Sequence, residues 1–310
     1  NREDRITWKY FQLLAALMTE HYLDRVTSDR EAFVQALDAY AEQCRERISG
    51  NLQIPSFSPG DLDRVAYWIA TGGGKTLLMH ANQLQFRHYA KEAGEAGEIS
   101  RTILVTPNER LSNQHIQEVR KTEDLRAHDY VTEGNSLFNQ AGSLDRIDVI
   151  DIHKLEDEEG EKTIATRSLG DRNLLLVDEG HRGMSGSTEG EELGAWMTRR
   201  RQLAERGFTF EYSATFAQAI GAADNSDIAN DYAKSVLFDY AYRWFYEDGY
   251  GKDYKIDNLP DANRAAHTAA VTEALKPKFL TAALLKFYQQ LRIYEEQFGE
   301  EMPEAADFQQ

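Results

Sequence analysis

Apolar residues in the first part of the chain recur at helical spacing. Phe11, Leu14, Leu17 and Met18 fall on one face of a stretch that predicts a helix over 7–23. A second helix is predicted over 29–48, stopped by Gly50 and Asn51. Two prolines and a glycine in 55–60 predict an irregular connector. The texture then changes. Residues 65–70 form a short apolar run without alternation, as in a strand buried on both faces. Similar runs recur at 102–105, 147–150, 174–177 and 208–212, with helical stretches at 76–90, 109–121 and 191–205. Strands alternating with helices predict an α/β domain on a parallel sheet covered on both sides. Helical spacing returns late, in Ala270, Val271, Ala274, Phe279, Leu280, Ala283, Leu284, Phe287, Tyr288 and Leu291, with Pro277 marking a break or a start. The charged segments 91–98 and 156–162, and 180–190 with four glycines and two serines, predict surface loops. The expected organisation is a helical N-terminal region over 1–60, an α/β domain over 61–258 and a helical segment over 259–310.

Composition narrows the class. The 310 residues are 41% hydrophobic, ample for a buried core. No apolar run is long enough for a membrane helix, and the polar start has no secretory pattern. Cys44 is the single cysteine, which excludes an internal disulfide and a cysteine zinc cluster. It reads as a small apolar filler on a helix. No membrane partner and a reducing, cytoplasmic location are therefore expected. The chain begins without Met, so a longer gene product is expected too. A net charge of −17, raised by acidic clusters around 156–161 and 295–304, argues against a generally basic nucleic-acid coat.

The first chemical signal sits where 65–70 runs into Thr71-Gly72-Gly73-Gly74-Lys75-Thr76 and then a helix. Glycines let successive backbone N–H groups face phosphates, and a helix N-terminus adds its positive dipole. Lys75 suits the terminal phosphates and the Thr76 hydroxyl suits Mg²⁺. Ile69 stands where the generic phosphate-loop pattern has its first glycine. The second signal is 174–177 leading into Asp178-Glu179-Gly180-His181. Two acids at the C-terminal end of a buried strand sit where ligands of open parallel sheets bind. One can hold a magnesium shell and the other can activate water. Alone, this tetrapeptide could also be an ordinary helix cap; beside the lysine turn it reads as the metal site.

Three weaker motifs follow. Phe208–Tyr212 ends in Ser213-Ala214-Thr215, Thr102–Val105 ends in Thr106-Pro107-Asn108, and Tyr10-Phe11-Gln12 lies upstream. From physics alone Thr106 or Asn108 is as well read as a helix cap, and Tyr10-Phe11-Gln12 as part of an amphipathic helix. Arg199-Arg200-Arg201 is expected as a solvated or nucleic-acid-facing patch.

Taken in order, TGGGKT, TPN, DEGH and SAT resemble the motifs of superfamily 2 DEAD/DEAH-box helicases and translocases. Gly180 stands where the DEAH box has Ala, a change that removes a methyl and is expected to leave the chemistry intact. The wider wording, with LLMH after the loop, YSATF and YEDGYGKDY at 246–254, resembles the helicase subunit of type III restriction enzymes and related bacterial antiphage-defence helicases.

The resemblance implies a RecA-like P-loop NTPase domain that binds ATP and Mg²⁺ as a nucleic-acid-dependent ATP hydrolase. Thr71, Gly72, Gly73, Gly74, Lys75 and Thr76 would hold the phosphates, and Thr76 and Asp178 the metal. Lys75, Asp178, Glu179 and His181 would serve catalysis, with His181 relaying nucleotide state. Ser213 and Thr215 would couple hydrolysis to movement, Thr106 and Pro107 would touch nucleic acid, and Gln12 would read adenine beside an aromatic. The implied partners are nucleic acid, double-stranded DNA foremost, and other subunits of a restriction or defence complex. An RNA helicase and a nucleotide-binding scaffold with little hydrolysis are the alternatives. The arginine-bearing Q-x-x-G-R-x-x-R stretch of a second lobe is not found in these residues, so slow hydrolysis by this chain alone is expected.

Overall fold

The computed structural model describes residues 6–47, 56–129, 144–156, 163–181, 190–216, 226–252 and 269–298, the side chains of 190–195, 226–229, 269–275 and 297–298 excepted. Two units are distinguished, Asn1–Gly251 and Lys252–Gln310. The first unit opens with helices α1 (Tyr10–Ser28) and α2 (Arg30–Arg47). Strand β1 (Arg64–Ile69) then leads into α3 (Lys75–Glu92), and β2 (Arg101–Thr106) into α4 (Glu109–Arg120). Strands β3 (Arg126–Asp129) and β4 (Arg146–Asp151), the short β5 (Leu155–Glu156) and β6 (Ile164–Ala165), and β7 (Asn173–Asp178) follow. The unit continues with α5 (Gly190–Leu203), β8 (Phe208–Ser213), α6 (Ser226–Ser235), β9 (Val236–Tyr240) and α7 (Tyr242–Glu247).

Seven strands form one sheet in the order β3-β4-β2-β7-β8-β1-β9, and every pairing is parallel. All strand C-termini therefore share one edge. Register makes this specific: Asp178 pairs with Tyr212, and Trp68 pairs with Ser213. Strand β8 lies between the strand that enters the glycine turn and the strand that carries the acids. This is a RecA-like α/β fold.

The strands form because both faces are buried. On one face Phe11, Ala15, Leu23, Leu78, Phe86, Tyr67 and Phe210 make a continuous core. On the other, Ile103, Val105, Ile150, Leu175, Val177 and Leu203 pack together with Trp196. Phe11 lies 4.0 Å from Tyr240, ring on ring, and is 1% exposed. Burial of such a side chain contributes about 1.5–3 kcal/mol, and it fixes the neighbouring Gln12 against the sheet edge. Polar pairs also cross this core. The Thr19 and Tyr67 hydroxyls lie 2.7 Å apart, and Asn82 Nδ2 donates to the Tyr212 hydroxyl at 2.8 Å. They tie α1 to β1 and α3 to β8.

Several elements differ from the sequence expectation. Strands β3 and β9 and helices α6 and α7 were not predicted. Sequence Arg-Ala-His-Asp has no apolar run; β3 is held instead by pairing with β4 and by His128 Nδ1, 2.9 Å from the buried Asp148 carboxylate. In the second unit, α8 (Ala269–Phe298) runs straight through Pro277 rather than breaking or starting there. A proline removes one amide donor, and the turns on either side keep theirs. The expected stop at Gly50 and Asn51, and most of the loops at 156–162 and 180–190, lie outside the described residues.

Candidate functional site

The lysine turn is shaped by backbone that only glycine adopts readily. Gly72 and Gly74 have φ of 81° and 86°. A Cβ on Gly74 would stand 2.3 Å from Gln12 Nε2, and one on Gly73 would stand 2.6 Å from Ile69 Cγ2. The turn is closed by Gly73 N–H donating to the Ala70 carbonyl at 2.9 Å, and α3 begins at Lys75. The first amides of α3 have no intrahelical partner, so this helix end favours an anion. Thr71 and Gly72 are exposed, while Lys75 and Thr76 are half-buried.

Across the edge, the acids meet the lysine. Lys75 Nζ lies 3.5 Å from Glu179 Oε1. Asp178 accepts from the Glu179 backbone N–H at 3.0 Å through Oδ1, and its Oδ2 lies 3.0 Å from His115 Nε2. Burial pushes the Asp178 carboxyl up, but the bond to His115, together with the Lys75 charge, holds it below the usual carboxylate range. Glu179 behaves likewise: burial raises it, and the bond to His181 and the Lys75 charge bring it below its ordinary value. Glu179 also has φ 52°, a left-handed conformation costly for a residue with a Cβ.

The strand between them carries the next layer. His181 Nδ1 lies 2.7 Å from Ser213 Oγ and 3.3 Å from Glu179 Oε2. Ser213 Oγ accepts from Thr215 N–H at 3.0 Å, and Trp68 Nε1 donates to the Ala214 carbonyl at 3.0 Å. His181, Glu179, Ser213 and Thr215 thus form one contiguous set, anchored to β1 by an indole that sequence reasoning passed over.

Other expected residues take different positions. Gln12 lies against the turn: its amide donates to the Gly73 carbonyl at 3.0 Å and its oxygen accepts from Lys9 N–H at 2.9 Å. Phe11 is inside the core, and Tyr10, exposed, donates its hydroxyl to Asp248. Thr106 is 1% exposed, with its hydroxyl 2.6 Å from Ser112 Oγ, and Pro107 is buried beside it. The helix-cap reading describes Asn108, whose Oδ1 accepts from Leu111 N–H at 3.0 Å. Thr106 and Pro107 line a pocket together with Asp178, Glu179, Trp196 and Arg200.

The arginine triplet is a solvated patch only at Arg201, which is exposed. Arg200 is buried and donates to the Gly180 carbonyl at 3.0 Å, Arg199 pairs with Glu156 at 2.7 Å, and Arg201 with Asp231 at 2.7 Å. Gly180 is a tight position, where Ala would require Glu211 to give way. A Cβ there would sit 3.0 Å from Glu211 Oε2 and 3.1 Å from Glu211 Cβ. Glu211 is buried and is fixed by the Tyr232 hydroxyl and by Arg64. His115 carries no local signal that singles it out: it lies on the buried side of α4 and reads there as an ordinary core position.

Donor set and cradle suit a magnesium-bound triphosphate: a glycine turn that rejects side chains, a cation, a hydroxyl and two carboxylates at one sheet edge. Among known proteins, the family model described as type III restriction enzyme, res subunit, matches residues 30–218. A solved structure that is similar is the Sulfolobus solfataricus SWI2/SNF2 ATPase core in complex with dsDNA. It is 11% identical over 68% of this chain, with a TM-score of 0.34, and the match spans 38% of that chain. No curated protein matches.

Proposed function

We propose a function from one premise: this chain belongs to the type III restriction enzyme, res subunit, family, a family of superfamily 2 helicase motor domains. On that premise it is the ATP-binding lobe of a nucleic-acid-dependent ATPase, acting on double-stranded DNA within a restriction or antiphage-defence assembly. The observation that carries the reading is the approach of Lys75 to Glu179 at 3.5 Å, with Asp178 alongside. That residues distant in sequence meet at the lysine turn supports a phosphate and metal site there.

In this reading Thr71, Gly72, Gly73, Gly74 and Lys75 bind the phosphates, and Thr76 and Asp178 hold Mg²⁺. Bound magnesium supplies charge neutralisation at the phosphates. Glu179 orients and deprotonates the attacking water, and Lys75 stabilises charge on the phosphate. His181 and Ser213 transmit the state of Glu179 to Thr215 and the strand end. Gln12 braces the glycine turn through the Gly73 carbonyl and would act in nucleotide binding from there. Thr106 and Pro107 are buried, so their part in nucleic-acid binding would be to hold the segment that ends at Asn108 rather than to touch the strand. An arginine finger contributes about 10³–10⁵ in rate, so this chain alone turns over slowly.

The test is ATP turnover of the chain with and without duplex DNA or duplex RNA, for the wild type and for Lys75→Ala. The expected result is slow turnover, raised by DNA, that falls at least about a hundredfold in the variant while its thermal transition is kept. Equal turnover in the two proteins contradicts the reading. Stimulation by RNA alone favours an RNA motor, and nucleotide binding without any turnover favours a scaffold.

A further inference from the structure

Asp178 is the acid proposed to hold the metal, and one protein side chain reaches its carboxylate among the described residues: His115. The imidazole sits on the buried face of α4, 4% exposed, with Nε2 at 3.0 Å from Asp178 Oδ2. Its other nitrogen, Nδ1, is buried and has no hydrogen-bond partner among the described residues. A buried polar atom without a partner costs about 1–3 kcal/mol. A leucine of similar volume in that place would avoid this cost. The ring is therefore poorly explained by packing, and its one polar contact is with the metal-binding carboxylate.

The geometry points to His115 as a positioning residue for Asp178, an inference that rests on the ATP-binding reading above. Asp178 is constrained from two sides. Its Oδ1 accepts from the backbone N–H of Glu179, and that bond moves with the strained turn at residue 179. Its Oδ2 is fixed by His115, which is carried on a different element. Without His115 the carboxylate keeps one anchor and gains freedom to rotate about its last torsion. Partners of this kind set the orientation of a metal ligand, and removing them costs about 10–100-fold in metal affinity. Helix α4 follows directly on Thr106-Pro107-Asn108, so His115 also connects that segment to the metal acid.

The experiment compares His115→Leu and His115→Gln in this chain. Glutamine places an amide nitrogen near the position of Nε2; leucine fills the volume without a donor. Where the leucine variant does not fold, His115→Asn, whose arm is shorter, replaces it. The readouts are binding of a fluorescent ATP analogue in EDTA and the Mg²⁺ concentration that half-saturates the metal-dependent part. The expectation is unchanged metal-free affinity in both variants. The leucine protein should need about tenfold more Mg²⁺, with the glutamine protein returning close to wild type. Unaltered Mg²⁺ dependence in both variants overturns the role. Equal loss of metal-free binding overturns it as well, because general damage would then explain the effect. A wild type that binds no nucleotide overturns the site itself, and this inference with it.

Discussion

Glu179 is held at φ 52°, and the residues around it explain how. Its N–H is fixed by Asp178 Oδ1, and the next N–H, from Gly180, donates to the Tyr212 carbonyl at 2.9 Å. Such a conformation costs about 1–3 kcal/mol and persists where the surroundings over-determine it. Gly180 is the tight neighbour. Gly180→Ala should destabilise the fold by about 1–3 kcal/mol, as overpacking does, read from the denaturant midpoint. An unchanged midpoint would show that Glu211 gives way freely. At this scale the sequence disclosed Lys75, Asp178 and Glu179, because their spacing after buried strands reflects chemistry directly. It did not disclose His115 or Trp68. Their roles come from contacts between distant elements, and each reads locally as an ordinary helix or strand residue.

Helix α3 sets the lysine turn in place, and its anchorage is partly polar. Asn82, fully buried, donates to Tyr212, whose backbone lies beside Asp178 in the sheet register. Replacing Asn82 with leucine leaves the Tyr212 hydroxyl without this donor and removes an acceptor 3.4 Å from the Thr19 hydroxyl. A loss of about 1–3 kcal/mol in unfolding free energy is expected, measured by chemical denaturation. Neutral behaviour would mean that these hydroxyls find other partners. The central strands were legible because a strand buried on both faces must be a continuous apolar run. Strand β3 was not, since His128 and Asp129 alternate with no apolar signal and its stability derives from the Asp148 cluster, which includes Arg146 at 2.8 Å. Pro277 marks no boundary of α8, although an interior proline removes one hydrogen bond and crowds the preceding turn; its position alone does not reveal which outcome holds.

On the scale of the whole chain, the order of strands is what turns separate motifs into one site. A single strand, β8, separates the lysine strand from the acid strand, and parallel pairing sends all three C-termini to the same edge. Alternation of strands and helices in the sequence foretold the parallel sheet, but the strand order is set by non-local pairing and has no local signature. The net charge of −17 coexists with this site because charge balance governs solubility and steering rather than fold. Among the described residues, no helix is long and apolar enough to cross a membrane. The most direct measurement is a diffraction structure of the chain crystallised with Mg²⁺ and a slowly hydrolysed ATP analogue. The terminal phosphates are expected against Gly72–Lys75 with the cation between Thr76 and Asp178; nucleotide bound elsewhere, with Lys75 out of reach of any phosphate, would contradict the assignment of this site.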